Sequence, residues 1–411
     1  MRVTWRTTRR AAGASVLLIA VGAIGLVAIW PRPPKAPSAI ASTSDLERYL
    51  AALVQFGRPP GLSLAVVKDE RVVYSRAFGL ADGPRHRVAT PDTTYRWWSM
   101  TKIPTAIAVL QLQEQGALSL DDPVTRHVPF FEVHSPSAAS PVVTVRHLLN
   151  HSSGLPDAGL DLMRWLHLPT EPPVDQTAFV KKVLPRYAKL AFEPGSRTAY
   201  TNIGYMVLGA VIAQAAGESY EDYVRSQVLQ PLRMTRTDFL YTPAVAADRA
   251  AGSHPILDPL TPLLPLVAAH WGALYRESDG AHLWFNPIYT DYTPSTGLIG
   301  SAPDVTRLLL AYLGGGELDG NRILATTSVE TMSHADRIRG TGRGAPMQRG
   351  LGWVVACGER ECLQHMGGGP GFGTAMRVYP RERLGLVVLT NDTTTDTATI
   401  LDLAASLPWA R

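Results

Sequence analysis

The chain has 411 residues, with 39 Lys and Arg against 35 Asp and Glu, a formal charge of +4 and two cysteines, and its pI is near 9.0. Six basic residues (Arg2, Arg6, Arg9, Arg10, Arg32, Lys35) and no acid lie in residues 1–35, so the remainder carries 33 basic against 35 acidic residues. The high pI belongs to one end of the chain and gives no support to a nucleic-acid partner.

Ala11 to Trp30 is an uncharged apolar run of 20 residues. As a helix it spans roughly 30 Å, the thickness of a bilayer's hydrocarbon core, and the arginines before it keep the N-terminus cytoplasmic. The competing reading is a cleaved signal peptide, with Ala39-Ile40-Ala41 as the site. That site lies far beyond the apolar run, behind the stiff segment from Pro31 to Pro37, so an uncleaved single-pass anchor is favoured. No cysteine is near enough for a lipoprotein anchor. The expected divisions are a tail and anchor over 1–30, a Pro-rich linker over 31–43 and one exported domain over 44–411.

Ser44 to Phe56 is patterned as a capped amphipathic helix. Gly61–Val67 and Arg71–Leu80 read as a hairpin. A helix opening near Ser99 ends near Gly116. The middle of the chain is helical over Val145–Asn150, Gln176–Tyr187, Ile203–Ala216 and Tyr220–Leu229. From Tyr241 to Asp291 no clean period shows, which predicts long ordered loops. Helix returns at Ala302–Leu313. Strands follow at Gly352–Cys357, Cys362–Met366, Thr374–Tyr379 and Leu384–Thr390, with a last helix over Thr395–Leu407. This order predicts an α+β protein whose antiparallel sheet is built from both chain ends around a helical insertion over about 100–290. Cys357 and Cys362 flank Gly-Glu-Arg-Glu, and an oxidising compartment would allow a disulfide across this hairpin.

Trp97-Trp98-Ser99-Met100-Thr101-Lys102 holds the first chemical signal. Ser99 and Lys102 lie one helical turn apart, pairing a nucleophile with a base, and first-turn N–H groups favour a nearby oxyanion. Four residues alone are weak, since a serine near a helix start is commonly a cap. Ser99-Met-Thr-Lys102, Tyr200-Thr-Asn202 and His365-Met-Gly367 together, however, stand in the order and spacing of the three motifs of the serine β-lactamase and penicillin-binding-protein superfamily. Tyr-x-Asn and His-x-Gly resemble the class C β-lactamase and esterase branch. Leu148-Leu-Asn-His-Ser-Ser-Gly-Leu155, Pro231-Leu-Arg-Met234 and the block from Pro294 to Asp304 agree with it.

The resemblance implies a β-lactamase/transpeptidase-like fold and a serine hydrolase that needs no cofactor or metal. It implies Ser99 as nucleophile, with Lys102 and Tyr200 moving protons. Asn202, His365 and Gly367 would bind substrate, and the N–H groups of Ser99 and Gly368 would form the oxyanion hole. Lys102 must then be partly neutral, which requires burial and a neighbouring cation. His365 would supply positive charge or a hydrogen bond near Tyr200. Family members commonly carry a hydroxyl between His and Gly; here Met366 offers almost no hydrogen bond, which points away from carboxylate-bearing substrates and toward uncharged esters or amides. D-alanyl-D-alanine carboxypeptidase or β-lactamase activity is the alternative, and a penicillin-binding sensor that barely turns over is one of another class. The expected partners are a small-molecule or peptide substrate and, through the N-terminal helix, a bacterial membrane; the oligomeric state is open. His147 and His151 lack the further ligands of a metal site. Asp121-Asp122 reads as a solvated turn, and Leu260–Tyr275 is too broken by proline to span a membrane.

Overall fold

Three strand segments with no polar alternation set the architecture, because strands apolar on both faces must be covered on both faces. They are Gly61–Lys68, Phe372–Tyr379 and Leu384–Thr390, buried along nearly their whole length. The computed structural model describes residues 33–267, 271–334, 338–340, 348–355 and 360–409. The expected anchor over Ala11–Trp30 lies outside them, as does Cys357. Among the described residues no helix is long and apolar enough to cross a membrane.

Helix α1 (Thr43–Phe56) opens with a capping box between Ser42 and Asp45 and stops at Gly57, whose φ of 85° suits glycine. Strands β1 (Gly61–Lys68), β2 (Arg71–Asp82) and β3 (Arg87–Val88) follow, then helix α2 (Lys102–Glu114) and the insertion containing α3 (Asn202–Ala216) and the short α4 (Thr293–Thr296). After α5 (Ala302–Leu313) come β4 (Gln348–Arg349), β5 (Val354–Val355), β6 (Leu363–Gly369), β7 (Phe372–Tyr379), β8 (Leu384–Thr390) and α6 (Thr397–Ser406). The eight-stranded sheet runs β4-β5-β6-β7-β8-β1-β2-β3. Its neighbours are antiparallel, with Ala65 opposite Val387 and Gly367 opposite Thr374. The two chain ends therefore meet at β8 and β1, as the sequence pattern requires.

Alternate residues of the central strands feed two cores. Leu62, Leu64, Val66, Leu386 and Val388 pack with Leu46 and Leu50 of α1 and Ile400 and Leu401 of α6. Ala65, Val67, Val387 and Leu389 join the larger core with α2, α3 and α5. The catalytic-type residues gather where this second core meets the end of β6.

The segment expected to be loops carries structure of its own. Ser253–Pro255, Tyr275–Ser278 and His282–Phe285 form a three-stranded antiparallel sheet. Their shortness and the Pro and aromatic content hid the period. Leu257, Leu260, Leu263 and Leu266 are exposed, Leu266 by 80%, so they are not core residues. Asp122 is buried and accepts from Ser119, Arg126 and His127, which makes it a structural anchor and not a solvated turn.

Helix α3 packs against α4 through Gly209, where a Cβ would lie 2.2 Å from Pro294 Cγ. Helix propensity alone would favour alanine there by up to about 1 kcal/mol. The packing reverses the sign: Gly209→Ala is expected to destabilise by about 1–3 kcal/mol, read as a lower urea midpoint, and a midpoint at or above wild type would refute the close contact.

Candidate active site

Ser99 sits in a tight turn that the sheet and the insertion pin from opposite sides. A 3-10 turn over Trp98–Thr101 runs directly into α2. Trp97 N–H donates to Leu298 O at 2.9 Å, and its carbonyl accepts from Thr374 Oγ1 of β7 at 2.9 Å. Trp98 adopts φ 48°, a left-handed conformation costly for a bulky residue. Packing holds it there. The Arg96 guanidinium lies 4.8 Å from the Trp98 ring centre, and a Cβ on Gly369 would fall 2.5 Å from the indole.

Gly367 allows β6 to pass this turn. A Cβ there would lie 2.1 Å from Trp97 O, 2.4 Å from Thr374 Oγ1 and 3.2 Å from Ser99 N, so only glycine fits. At Gly368 the same test meets nothing within 4 Å. The backbone beside the Ser99 N–H is thus open to a ligand.

Lys102 is fully buried. Its Nζ is 3.2 Å from Ser99 Oγ, 2.8 Å from Asn202 Oδ1 and 3.0 Å from Ser295 O. Tyr200 OH donates to Ser99 Oγ at 2.7 Å. Burial drives the Lys102 pKa well below its ordinary value; Asp157 opposes the shift and Arg349 adds to it. Burial pushes the Tyr200 phenol up, so it stays protonated at neutral pH. A neutral Lys102 satisfies every group here. Two N–H bonds go to Asn202 and Ser295, its lone pair can receive the Ser99 hydroxyl hydrogen, and Tyr200 donates to Oγ. Such a chain can move a proton off the serine.

Thr201, not Asn202, caps α3, leaving the Asn202 side chain in the site. Its Oδ1 accepts from Lys102 and its Nδ2 donates to Asp157 at 3.3 Å. His365 is buried on β6, with Nδ1 2.9 Å from Met366 O and Nε2 without a partner. Burial takes its pKa down to about 3, and Arg349 adds to the shift. His365 is therefore neutral, and of the two contributions expected of it, positive charge or a hydrogen bond, the hydrogen bond remains. His151 is neutral for the same reasons, and its ring lies 4.6 Å from Tyr200 and 5.1 Å from Tyr205. His147 belongs to the capping box of the helix Val145–Leu149, its Nδ1 accepting from the Thr144 N–H.

The family model described as Beta-lactamase matches residues 46–407. The chain belongs to the Beta-lactamase family. Protein flp of Staphylococcus aureus (strain N315) is 25% identical over 356 residues, covering 85% of this chain and 63% of that one. Penicillin-binding protein 4* of Bacillus subtilis (strain 168) is 27% identical over 334 residues, covering 78% and 65%. The match therefore spans less than two thirds of these relatives' length. Among solved structures, the octameric penicillin-binding protein homologue from Pyrococcus abyssi superposes with a TM-score of 0.71 at 27% identity, covering 89% of this chain and 77% of that one. EstCE1, a hydrolase with promiscuous acyltransferase activity, reaches 0.68 at 24% identity over 88% and 97%, which speaks to the fold. Family and site together are those of a serine hydrolase.

Within this Beta-lactamase-family site the structure brings together Ser99, Lys102, Tyr200, Asn202, His365, Gly367 and Gly368. It also adds three residues that the sequence reading missed. Asp157 follows the Ser-Gly-Leu-Pro turn, Ser295 presents a carbonyl from α4, and Arg349 lies on the short edge strand β4. Backbone carbonyls leave no sequence signal, and Arg349 sits in a stretch without period.

A neutral buried His365 links stability to pH. Between about pH 3 and 6.5 the unfolded state binds a proton at this residue that the folded state refuses, so its contribution is complete above 6.5 and is lost as pH falls. His365→Gln is expected to flatten the stability profile across that window by one proton, with His151 retaining its own. Urea unfolding from pH 4 to 7 reads this, and parallel slopes for the two proteins would refute it.

Proposed function

We propose that this protein is a membrane-anchored, extracytoplasmic hydrolase that cleaves ester or amide bonds through a Ser99 acyl-enzyme. One observation carries the reading: Ser99 Oγ lies between the buried Lys102 at 3.2 Å, whose pKa is driven well below its ordinary value, and the Tyr200 hydroxyl at 2.7 Å. Ser99 Oγ attacks the acyl carbon while its proton passes to Lys102. The N–H groups of Ser99 and Gly368 receive the developing oxyanion. As the acyl carbon–leaving-group bond breaks, Tyr200 gives its proton to the departing atom and is reprotonated from Lys102. Water then attacks the ester with these roles reversed, releasing acid and Ser99.

Asn202 keeps one amide hydrogen for the acyl side of the substrate, Asp157 taking the other. Gly367 lets the substrate lie along β6, and neutral His365 offers an uncharged hydrogen bond. Met366 is 46% exposed on the same strand. With a thioether there and no charge on His365, the third motif suits an uncharged acyl compound better than a carboxylate. Cell-wall-like chemistry, a D-alanyl-D-alanine carboxypeptidase or β-lactamase, is the second reading; the penicillin-binding proteins among the relatives favour it.

The proposed organisation is an N-terminal helix over Ala11–Trp30 in the membrane, a linker to residue 43 and the hydrolase domain beyond. A Cys357–Cys362 disulfide belongs to the same picture. Cys362 is buried and no described cysteine is a free thiol. Alkylation of the native, non-reduced protein is expected to modify neither cysteine; two labelled thiols would reject the bridge.

The deciding measurement is mass spectrometry of the full chain in detergent after a fluorophosphonate, a nitrophenyl ester or a β-lactam, with Ser99→Ala alongside. Fluorophosphonate labelling at Ser99 and steady turnover of the ester, both absent in Ser99→Ala, are expected. A β-lactam adduct, stable or quickly cleared, would transfer the protein to cell-wall chemistry. One equivalent of product followed by near silence would make it a sensor, and no adduct with any reagent would overturn the hydrolase reading.

A further inference from the structure

Arg349 is a buried cation that the mechanism above does not use. It lies on β4 at the sheet edge, only 9% exposed. Its guanidinium carbon is 5.4 Å from the centre of the Tyr200 ring. Its Nε is buried and has no hydrogen-bond partner. Burying an uncompensated guanidinium is expensive, and arginine holds its proton where lysine would lose it. Such a charge acts strongly on its neighbours because little water screens it.

We propose that Arg349 is a positioning residue whose fixed positive charge, stacked over Tyr200, keeps Lys102 unprotonated and able to take the Ser99 proton. This rests on the reading of Ser99, Lys102 and Tyr200 as acylation machinery. The third motif cannot do the work, because His365 is neutral. The groups facing Lys102 and Tyr200 come from five places. Asp157 lies after the Ser-Gly-Leu turn, His151 after the helix Val145–Leu149, Tyr205 on α3, His365 on β6 and Arg349 on β4. Burial is the first cause of the low proton affinity of Lys102; Asp157 opposes it and Arg349 adds to it. The same guanidinium stabilises a Tyr200 phenolate and works against protonation of His151 and His365. One charge from a short edge strand thus biases the whole cluster toward its proton-poor state.

The test compares wild type with Arg349→Met, Arg349→Gln and Arg349→Lys, the first two removing the charge with different side chains in case one disturbs folding. With a nitrophenyl ester, kcat/KM at pH 7 is expected to fall roughly tenfold in both neutral variants. The acid limb of the profile moves to higher pH, so activity recovers as pH rises, with KM little changed; Arg349→Lys, whose amine can lose its proton in that buried place, is expected between wild type and the neutral variants. A pH-independent loss or a loss confined to KM would overturn the proposal. A second arm does not need turnover. The chain has six lysines, so [13Cε]lysine NMR of Ser99→Ala can follow Lys102 directly, assigned with Lys102→Arg. Its titration is expected at higher pH when Arg349 is neutralised. An unmoved Lys102 would sink the proposal even in an active enzyme, whereas a moved Lys102 in a protein inert to every acyl reagent would uphold the coupling and reject the hydrolase reading.

Discussion

The rest of the site depends on the burial of one amine. Lys102 has no solvent contact, and an isolated ammonium in that position would cost many kcal/mol, so the group sheds its proton or is heavily compensated. The compensation comes from three parts of the chain. Ser99 lies in the turn before α2, Asn202 in the first turn of α3 and Ser295 in α4, and each gives Lys102 one oxygen within 3.2 Å. Those elements must sit in fixed relation for the amine to be satisfied. The same relation puts Tyr200, two residues before Asn202, against Ser99 Oγ. Packing and chemistry are therefore one constraint: the contact at Gly209 that seats α4 on α3 also sets where the Ser295 carbonyl ends up.

The sheet contributes the opposite wall by a comparable route. β6 passes so close to the Ser99 turn that Gly367 has no room for a side chain, and the Thr374 hydroxyl on β7 ties the turn's carbonyl to the same sheet. Trp98 is forced into a conformation it would not choose, and Arg96 and Gly369 hold its ring. Strain of this kind persists only where surrounding packing over-determines it. It turns Ser99 outward at the point where helix, sheet edge and open backbone meet.

Much of this was legible because it is local or periodic. Ser99 and Lys102 share a helical face at a spacing any reader can count, and the buried strands read as apolar runs without alternation. Tyr200 and His365 needed the motif resemblance, since nothing in their own neighbourhoods separates them from a packed tyrosine and a surface histidine. For His365 the sequence left charge and hydrogen bond open: sequence does not show burial, and burial decides whether an imidazole carries a proton. Asp157, Ser295 and Arg349 escaped for a different reason. Each reaches the site by a contact distant in sequence, from a turn, a carbonyl or a two-residue strand, and local pattern does not report such contacts. The short strands between Ser253 and Phe285 were lost to the same lack of period.

Proton balance in the cluster follows from what each group can give up. Arg349 cannot shed its proton, while His151 and His365 have already shed theirs. Asp157 is the carboxylate that pulls a proton toward Lys102, yet its Oδ1 is occupied by the Asn202 backbone N–H at 2.7 Å and side-chain amide at 3.3 Å. It acts on Lys102 across the amide of Asn202 and not by direct contact. Burial and Arg349 therefore outweigh it, and the Lys102 pKa is held well below its ordinary value. In the proposed acylation, attack by Ser99 would bring an oxyanion into the cluster, and its negative charge would tip the balance toward a protonated Lys102. A base that is weak in proton affinity at rest and stronger as the reaction proceeds is what the proposed acylation step requires, and fixed charges placed around a single buried amine would supply it.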